Sequence, residues 1–169
     1  MILQTYNEVQ NDGRGERKYA VPEAGKVLDG KWTLSFTGCA PAVDKTFSLD
    51  APRTWEGLDD DSVKVTMGTG VYSTTVRMTK DEAASDWMID LGDVRESARV
   101  YVNDVFVGCA WSVPFTLDCK KAFKAGENTI RIEVTNLPAN RISHLDRQGV
   151  KWRKFNEINV VDILSLIHI

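Results

Sequence analysis

The sequence predicts an all-β fold, an antiparallel β-sandwich of the jelly-roll type. Seven or more short segments alternate apolar with polar residues, turn-forming residues separate them, and helical patterns are almost lacking. The chain has 169 residues, 43% of them hydrophobic, which is enough for one core and one domain. Two packed antiparallel sheets bury one face of so many short strands.

The first strand is predicted in "LDGKWTLSF", residues 28–36. Trp32, Leu34 and Phe36 fall on one face of an extended chain, and Thr33 and Ser35 fall on the other. Comparable runs, rich in β-branched and aromatic residues, follow at 45–49, 70–78, 86–91, 98–102, 105–111 and 128–134. These runs are the strands of the predicted sandwich.

The connections between the runs also carry signals. Asn103 and Asp104 separate two apolar runs, and both residue types tolerate the positive φ angles of a two-residue hairpin turn. The one helical pattern is "CKKAFKAGEN", with Asp118 as a candidate N-cap and Gly126 as a stop. From residue 135 the chain has no clear period for about twenty-five residues, which indicates a functional segment or one packed against a partner.

Composition excludes several functional classes. The formal net charge is −3 and basic residues are interspersed with acids, so no nucleic-acid partner is expected. No membrane partner is expected either, and the start of the chain lacks the pattern of a secretory signal. Cys39, Cys109 and Cys119 are odd in number and far apart, which predicts small buried side chains without disulfides or zinc.

Candidate catalytic groups are few. Glycoside hydrolysis needs two carboxyl groups flanking the scissile bond, and Asp90, Asp93 and Glu96 lie close in sequence, but Asp90 should face solvent. His144 and Asp146 are the only local pairing for nucleophilic catalysis, and no GxSxG motif accompanies them. We therefore predict that the chain has no catalytic residues of its own.

Tryptophan side chains are the first candidates for a binding site, because sugars stack their apolar C–H faces on indole rings. Trp55, Trp111 and Trp152 lie in loop-like contexts, whereas Trp32 and Trp87 alternate with apolar residues and are predicted to be core. Core packing is the alternative for Trp111, and docking against a partner domain is the alternative for Trp152.

Polar residues in two loops complete the predicted site. Arg95 and Glu96 lie in "GDVRES", and Asn136, Asn140 and Arg141 lie in "TNLPANR", two loops that a sandwich can bring to one end. The alternatives are that Arg141 pairs with a carboxylate to pin its loop, and that Asn136 satisfies buried backbone groups.

Longer motifs connect these elements. "GTGVYSTTVRM" is followed by "WMIDLGDVRESARVYVNDVFVGCAWSVPFTLDCKKAFKAGENTIRIEVTNLPANR", and "LDGKWTLSF" and "PRTWEGL" precede them. Together they resemble the galactose-binding-like jelly-roll domain of family 2 glycoside hydrolases and family 106 α-L-rhamnosidases. Residues "HLDRQGVKWRKFNEINVVDI" resemble the exit of this domain in enzymes of gut Bacteroidetes. Asn103-Asp104 replaces the family's more usual Asn-Gly turn.

The resemblance implies domain limits and a setting. Residues 28–163 would be the sandwich, 1–27 a lead-in from a missing upstream region, and 164–169 a non-native tail. The parent protein would be periplasmic or extracellular, with a catalytic domain in the same chain. No cofactor is implied, although relatives can hold structural calcium, for which "LDDDS" offers oxygen ligands and solvated acids are the alternative.

The resemblance predicts a non-catalytic carbohydrate-binding or scaffolding domain of a polysaccharide-degrading glycoside hydrolase, of rhamnosidase or β-galactosidase type. Its expected partners are a glycan and the catalytic domain of its own chain. Three alternatives stay open: a free-standing carbohydrate-binding module, a structural spacer between domains, and a small hydrolase active by itself.

Overall fold

The protein is an antiparallel β-sandwich, as the computed structural model of the chain shows for residues 25–151. Its strands are β1 (Trp32–Ala40), β2 (Phe47–Leu49), β3 (Met67–Met78), β4 (Trp87–Asp90), β5 (Ser97–Val102), β6 (Val105–Ala110), β7 (Thr116–Lys120) and β8 (Gly126–Thr135). A six-stranded sheet has the order β2-β1-β3-β8-β5-β6, and β4 and β7 form a second sheet. The predicted all-β sandwich is thus confirmed.

Among residues 25–151, three short helical segments connect strands and a fourth follows β8. They are a 3₁₀ turn at Trp55–Gly57 and helices α1 (Asp61–Lys64), α2 (Lys80–Ala84) and α3 (Ala139–Arg147). The helix predicted in "CKKAFKAGEN" was wrong: Cys119 and Lys120 end β7, and the chain then turns into β8. No helix in residues 25–151 is long and apolar enough to cross a membrane.

The core lies on one face of the six-stranded sheet, and two different structures cover it. Over one half, β4 and β7 pack Trp87, Ile89 and Cys119 against β3, β5 and β8. Over the other half, the 3₁₀ turn and α1 place Trp55 and Val63 against β1 and β3. Burial of these apolar side chains stabilises the sandwich by roughly 25 cal/mol per Å² removed from water.

The two tryptophans predicted as core differ in burial. Trp32 is 2% exposed, and Trp87 is partly buried against Phe123 while its indole N–H donates to the Glu82 carbonyl at 2.7 Å. Both predictions are confirmed. By contrast, Trp55 was a candidate for sugar stacking, but its ring is 7% exposed. The ring fills the space above Gly70, where an added Cβ would lie 2.4 Å from Trp55 Cζ3.

The β5–β6 turn and the cysteines test further predictions. Asn103 and Asp104 have φ angles of 50° and 63°, which confirms the predicted tight hairpin turn.

All three cysteines are free, yet only Cys119 is buried, and burial raises its pKa to about 11. The expectation of three buried cysteines was wrong for Cys109, which alternation along the edge strand β6 turns towards solvent.

Buried Tyr72 makes the stability depend on pH. Its hydroxyl donates to the Arg53 carbonyl at 2.8 Å, and burial raises its pKa from 10.0 to about 12. The folded state therefore holds this proton more tightly than the unfolded chain does, so the stabilisation is complete below about pH 10 and is lost as the pH rises towards 12.

We expect the free energy of unfolding to fall in both the native protein and Tyr72→Phe when the pH is raised from about 8 to about 11. The fall should be about 1.4 kcal/mol larger in the native protein, because only that protein has the Tyr72 hydroxyl. Urea denaturation at both pH values measures this difference. Parallel losses in the two proteins would contradict the assignment.

Candidate functional site

One end of the six-stranded sheet brings together several of the predicted site residues. At the end of β8, Thr135 pairs with Thr69 of β3 and Ser97 of β5. Glu96 directly precedes β5, and Trp111 directly follows β6 on the neighbouring strand. We call the segments 92–96, 111–115 and 136–138 the loop end.

Trp111 is the most accessible aromatic side chain at the loop end. It is 74% exposed, and Val113 in the same segment is 81% exposed. At the other end of this segment, the side chain of Phe115 is buried in the core beside Ala98 and Ala110. An indole ring open to solvent can stack on the apolar face of a sugar ring.

Arg95 and Glu96 reach solvent at the same end. Arg95 donates from Nε and Nη2 to the two carboxylate oxygens of Asp93, both at 2.8 Å. This pair lowers the pKa of Asp93, whereas a general acid for glycoside hydrolysis needs a raised one. The Glu96 backbone N–H donates to the Thr135 carbonyl at 3.2 Å, which fixes the loop while the side chain stays exposed.

Asn136 uses its side-chain amide inside the protein. Its Oδ1 accepts from the Gly68 N–H at 2.9 Å, and its Nδ2 donates to the Thr66 carbonyl at 3.2 Å. The Asn136 backbone N–H donates to the Gly68 carbonyl as well, at 3.1 Å. These bonds tie the end of β8 to the start of β3, so Asn136 positions the loop end and has both polar atoms of its side chain occupied.

Asn140 and Arg141 lie on a helix. The expectation of an aperiodic segment was wrong for residues 139–147, which form α3 after Pro138 at its N-cap. Asn140 donates a hydrogen bond from Nδ2 to Oε1 of Glu56 in the 3₁₀ turn, and Arg141 is partly buried. The helix thus separates these two residues from the loop end proper. Trp152 lies outside the described residues.

A cleft of about 480 Å³ opens between α3 and the segment that carries the 3₁₀ turn and α1. Glu56, Asp61 and Lys64 line one wall, and Asn140 and His144 contribute to the other. We call this the α1–α3 cleft. Sequence reasoning found only Asn140 as a binding candidate, since the helical spacing that brings His144 to the same wall was not recognised.

The remaining catalytic candidates lie at the end of β4 and on α3. Asp90 is exposed and accepts a hydrogen bond from the Gly92 N–H, as expected for a residue on the outer face of its strand. His144 and Asp146 are two positions apart on α3, so they do not share a face.

In the acidic segment "LDDDS", the side chains of Asp60 and Asp61 have partners within the protein. A hydrogen bond from Lys45, with a smaller contribution from Ser62, lowers the pKa of Asp60 to about 2. The carboxylate of Asp61 forms an ion pair with Lys64 at 3.1 Å. Asp60 thereby caps α1 with its side chain. Among residues 25–151, no three His, Cys, Asp or Glu side chains converge to hold a metal ion.

Comparisons with known proteins give the setting of this fold. No protein-family model matches the chain. A putative beta-glucuronidase of Formosa agariphila is 32% identical over 118 residues, which cover 69% of this chain but 10% of the relative. The chain therefore spans about a tenth of the curated relative that it matches.

Solved structures that share this fold also come from large glycoside hydrolases. A rhamnosidase from Novosphingobium sp. PP1Y superposes with a TM-score of 0.64 and 32% identity, covering 79% of this chain and 13% of that one. A beta-D-glucuronidase of Dictyoglomus thermophilum shares the fold, with a TM-score of 0.55 and 20% identity over 64% of this chain and 19% of its own. The sandwich is thus similar to a domain-sized part of much larger glycoside hydrolases.

Proposed function

We propose that the chain is a non-catalytic carbohydrate-binding and scaffolding domain of a polysaccharide-degrading glycoside hydrolase, of rhamnosidase or β-galactosidase type and with a galactose-binding-like sandwich at residues 28–163. The similarity to small parts of a rhamnosidase and of glucuronidases supports this setting. The catalytic domain of the same protein would be its partner, in a periplasmic or extracellular enzyme.

The observation that carries glycan binding is the exposed indole of Trp111. A large aromatic side chain that is 74% exposed leaves apolar area in water, and stacking on a sugar ring removes that area. Glu96 provides carboxylate oxygens at the same end, where they can accept hydrogen bonds from sugar hydroxyls. The two groups match the apolar face and the polar rim of a sugar.

Replacing Trp111 tests this proposal. We expect Trp111→Ala to weaken glycan affinity at least about tenfold, because a central aromatic anchor contributes about 2 kcal/mol or more to binding. The free energy of unfolding should change by less than about 0.5 kcal/mol, because the side chain is exposed. Calorimetric titration with a bound glycan and urea denaturation measure the two quantities.

The matched control is Val113→Ala, which removes an exposed apolar side chain from the same segment without removing a ring. It should bind glycan as the native protein does. If Trp111→Ala retains full affinity, the loop end is not a stacking site and the role of the domain is structural.

A further inference from the structure

The α1–α3 cleft has two polar walls and a floor between them. Its walls carry the side chains of Glu56, Asp61, Lys64, Asn140, His144 and Arg147. The volume of about 480 Å³ lies within the range of about 300–1,000 Å³ that is usual for small-molecule sites. No Phe, Tyr or Trp of the described residues lines it, so a ligand would be held by hydrogen bonds at its edges.

Helical spacing creates the α3 wall. Asn140, His144 and Arg147 are four and three positions apart, which places them on one face of the helix. Asn140 and His144 are only partly exposed, and Ser143 between them is 6% exposed. This polar face therefore turns towards the cleft, whereas the polar face of a surface helix normally points to bulk water.

The orientation of α3 over the cleft is fixed at two points. Asn136 ties the chain before the helix to β3, and Asn140 donates to Glu56 on the opposite wall. The Asn140–Glu56 hydrogen bond thus links the two walls of the cleft. A preorganised polar site of this kind loses little conformational entropy when it binds.

The charges of the cleft balance. Glu56 and Asp61 carry two negative charges, Lys64 and Arg147 carry two positive charges, and Lys64 already pairs with Asp61 at 3.1 Å. A ligand with a net charge gains little from such a site. A lining with both donors and acceptors, by contrast, matches hydroxyl groups, each of which donates and accepts.

We infer that the α1–α3 cleft binds an uncharged sugar through its hydroxyl groups, at residues separate from the Trp111 stacking site. The inference rests on the proposed function, and it adds the class of sugar and a second set of contacts. The second N–H of Asn140 Nδ2 and a ring N–H of His144 would donate to sugar hydroxyls, and Oε2 of Glu56, the oxygen that does not accept from Asn140, would accept from them.

The experiment compares two probes that differ at one carbon, methyl β-D-galactoside and methyl β-D-galacturonide, with methyl α-L-rhamnoside as a second neutral probe. Each is titrated into the full chain and followed by the backbone amide spectrum. We expect saturable shifts at the α3 and α1 amides with at least one neutral probe, and binding of the galacturonide that is weaker than that of the galactoside.

Variants give the second readout. Asn140→Ala should weaken binding of the neutral probe about threefold to tenfold, through the loss of one hydrogen-bonding side chain. Glu56→Gln, which keeps an acceptor for Asn140 but removes the charge, should also weaken it. Gln148→Ala, an exposed polar change at the end of α3 outside the cleft, is the matched control and should bind normally.

The outcomes separate the two proposals. Preference for the galacturonide, or probe shifts confined to the loop end, would overturn the cleft assignment and leave the proposed function standing. Polysaccharide binding that Trp111→Ala abolishes but Asn140→Ala and Glu56→Gln leave unchanged would do the same. Absence of binding to every sugar and polysaccharide would overturn both.

Discussion

Asn128→Ala should lower the free energy of unfolding by about 3 kcal/mol, because the buried amide of Asn128 organises two connections at once. The residue is 1% exposed. Its Oδ1 accepts from Asn103 Nδ2 at 2.8 Å and from the Lys124 N–H at 2.9 Å, and its Nδ2 donates to the Lys124 and Gly126 carbonyls at 2.7 and 3.1 Å.

The cost is large because alanine leaves these partners unsatisfied. Each buried donor or acceptor without a partner costs about 1–3 kcal/mol, and water can reach only some of the groups that are hydrogen-bonded to the Asn128 side chain. Urea denaturation of Asn128→Ala measures the loss, and Thr129→Ala, an exposed neighbour on β8, is the control. A loss below about 1 kcal/mol in Asn128→Ala would show that the network contributes little.

Asn136→Ala should cost about 2 kcal/mol, since it removes both side-chain hydrogen bonds between the end of β8 and the start of β3. Asn136→Asp should cost at least as much, because one carboxylate oxygen still accepts from the Gly68 N–H but the other faces the Thr66 carbonyl, which is also an acceptor. Urea denaturation gives the free energies, and hydrogen exchange of the Gly68 amide reports the local bond.

Asn136→Ala should also loosen the start of α3, which begins three residues later. If Gly68 exchanges equally fast in the native protein and in Asn136→Ala, the side chain does not hold β3, and the residue is free for the binding role that its loop position suggested.

The strands were predictable because each buries one face, and burial of one face imposes a period of two on the sequence. Trp32 and Leu34 on β1, 2% and 0% exposed, show this directly. The Asn103-Asp104 turn was predictable for a local reason as well, because positive φ restricts the residue types that fit.

What escaped prediction depends on tertiary contacts. Trp55 looks like a loop residue, but β1 and β3 provide a surface on which the 3₁₀ turn buries its ring, with Phe36 at 5.3 Å between centroids. Helix α3 has only nine residues, and its apolar positions Ala139, Ile142 and Leu145 recur over too few turns for a helical period to stand out in the sequence. Asn136 could be placed in a loop from sequence, but its two hydrogen-bond partners are 68 and 70 residues away.

The most direct test of the account is calorimetric titration of the full chain with polysaccharides that contain rhamnose, galactose or galacturonate. We predict saturable binding to at least one polysaccharide, with an affinity that Trp111→Ala weakens at least about tenfold. Absence of binding to all of them, with the protein folded by circular dichroism, would contradict a carbohydrate-binding role and leave a structural domain that acts beside its catalytic partner.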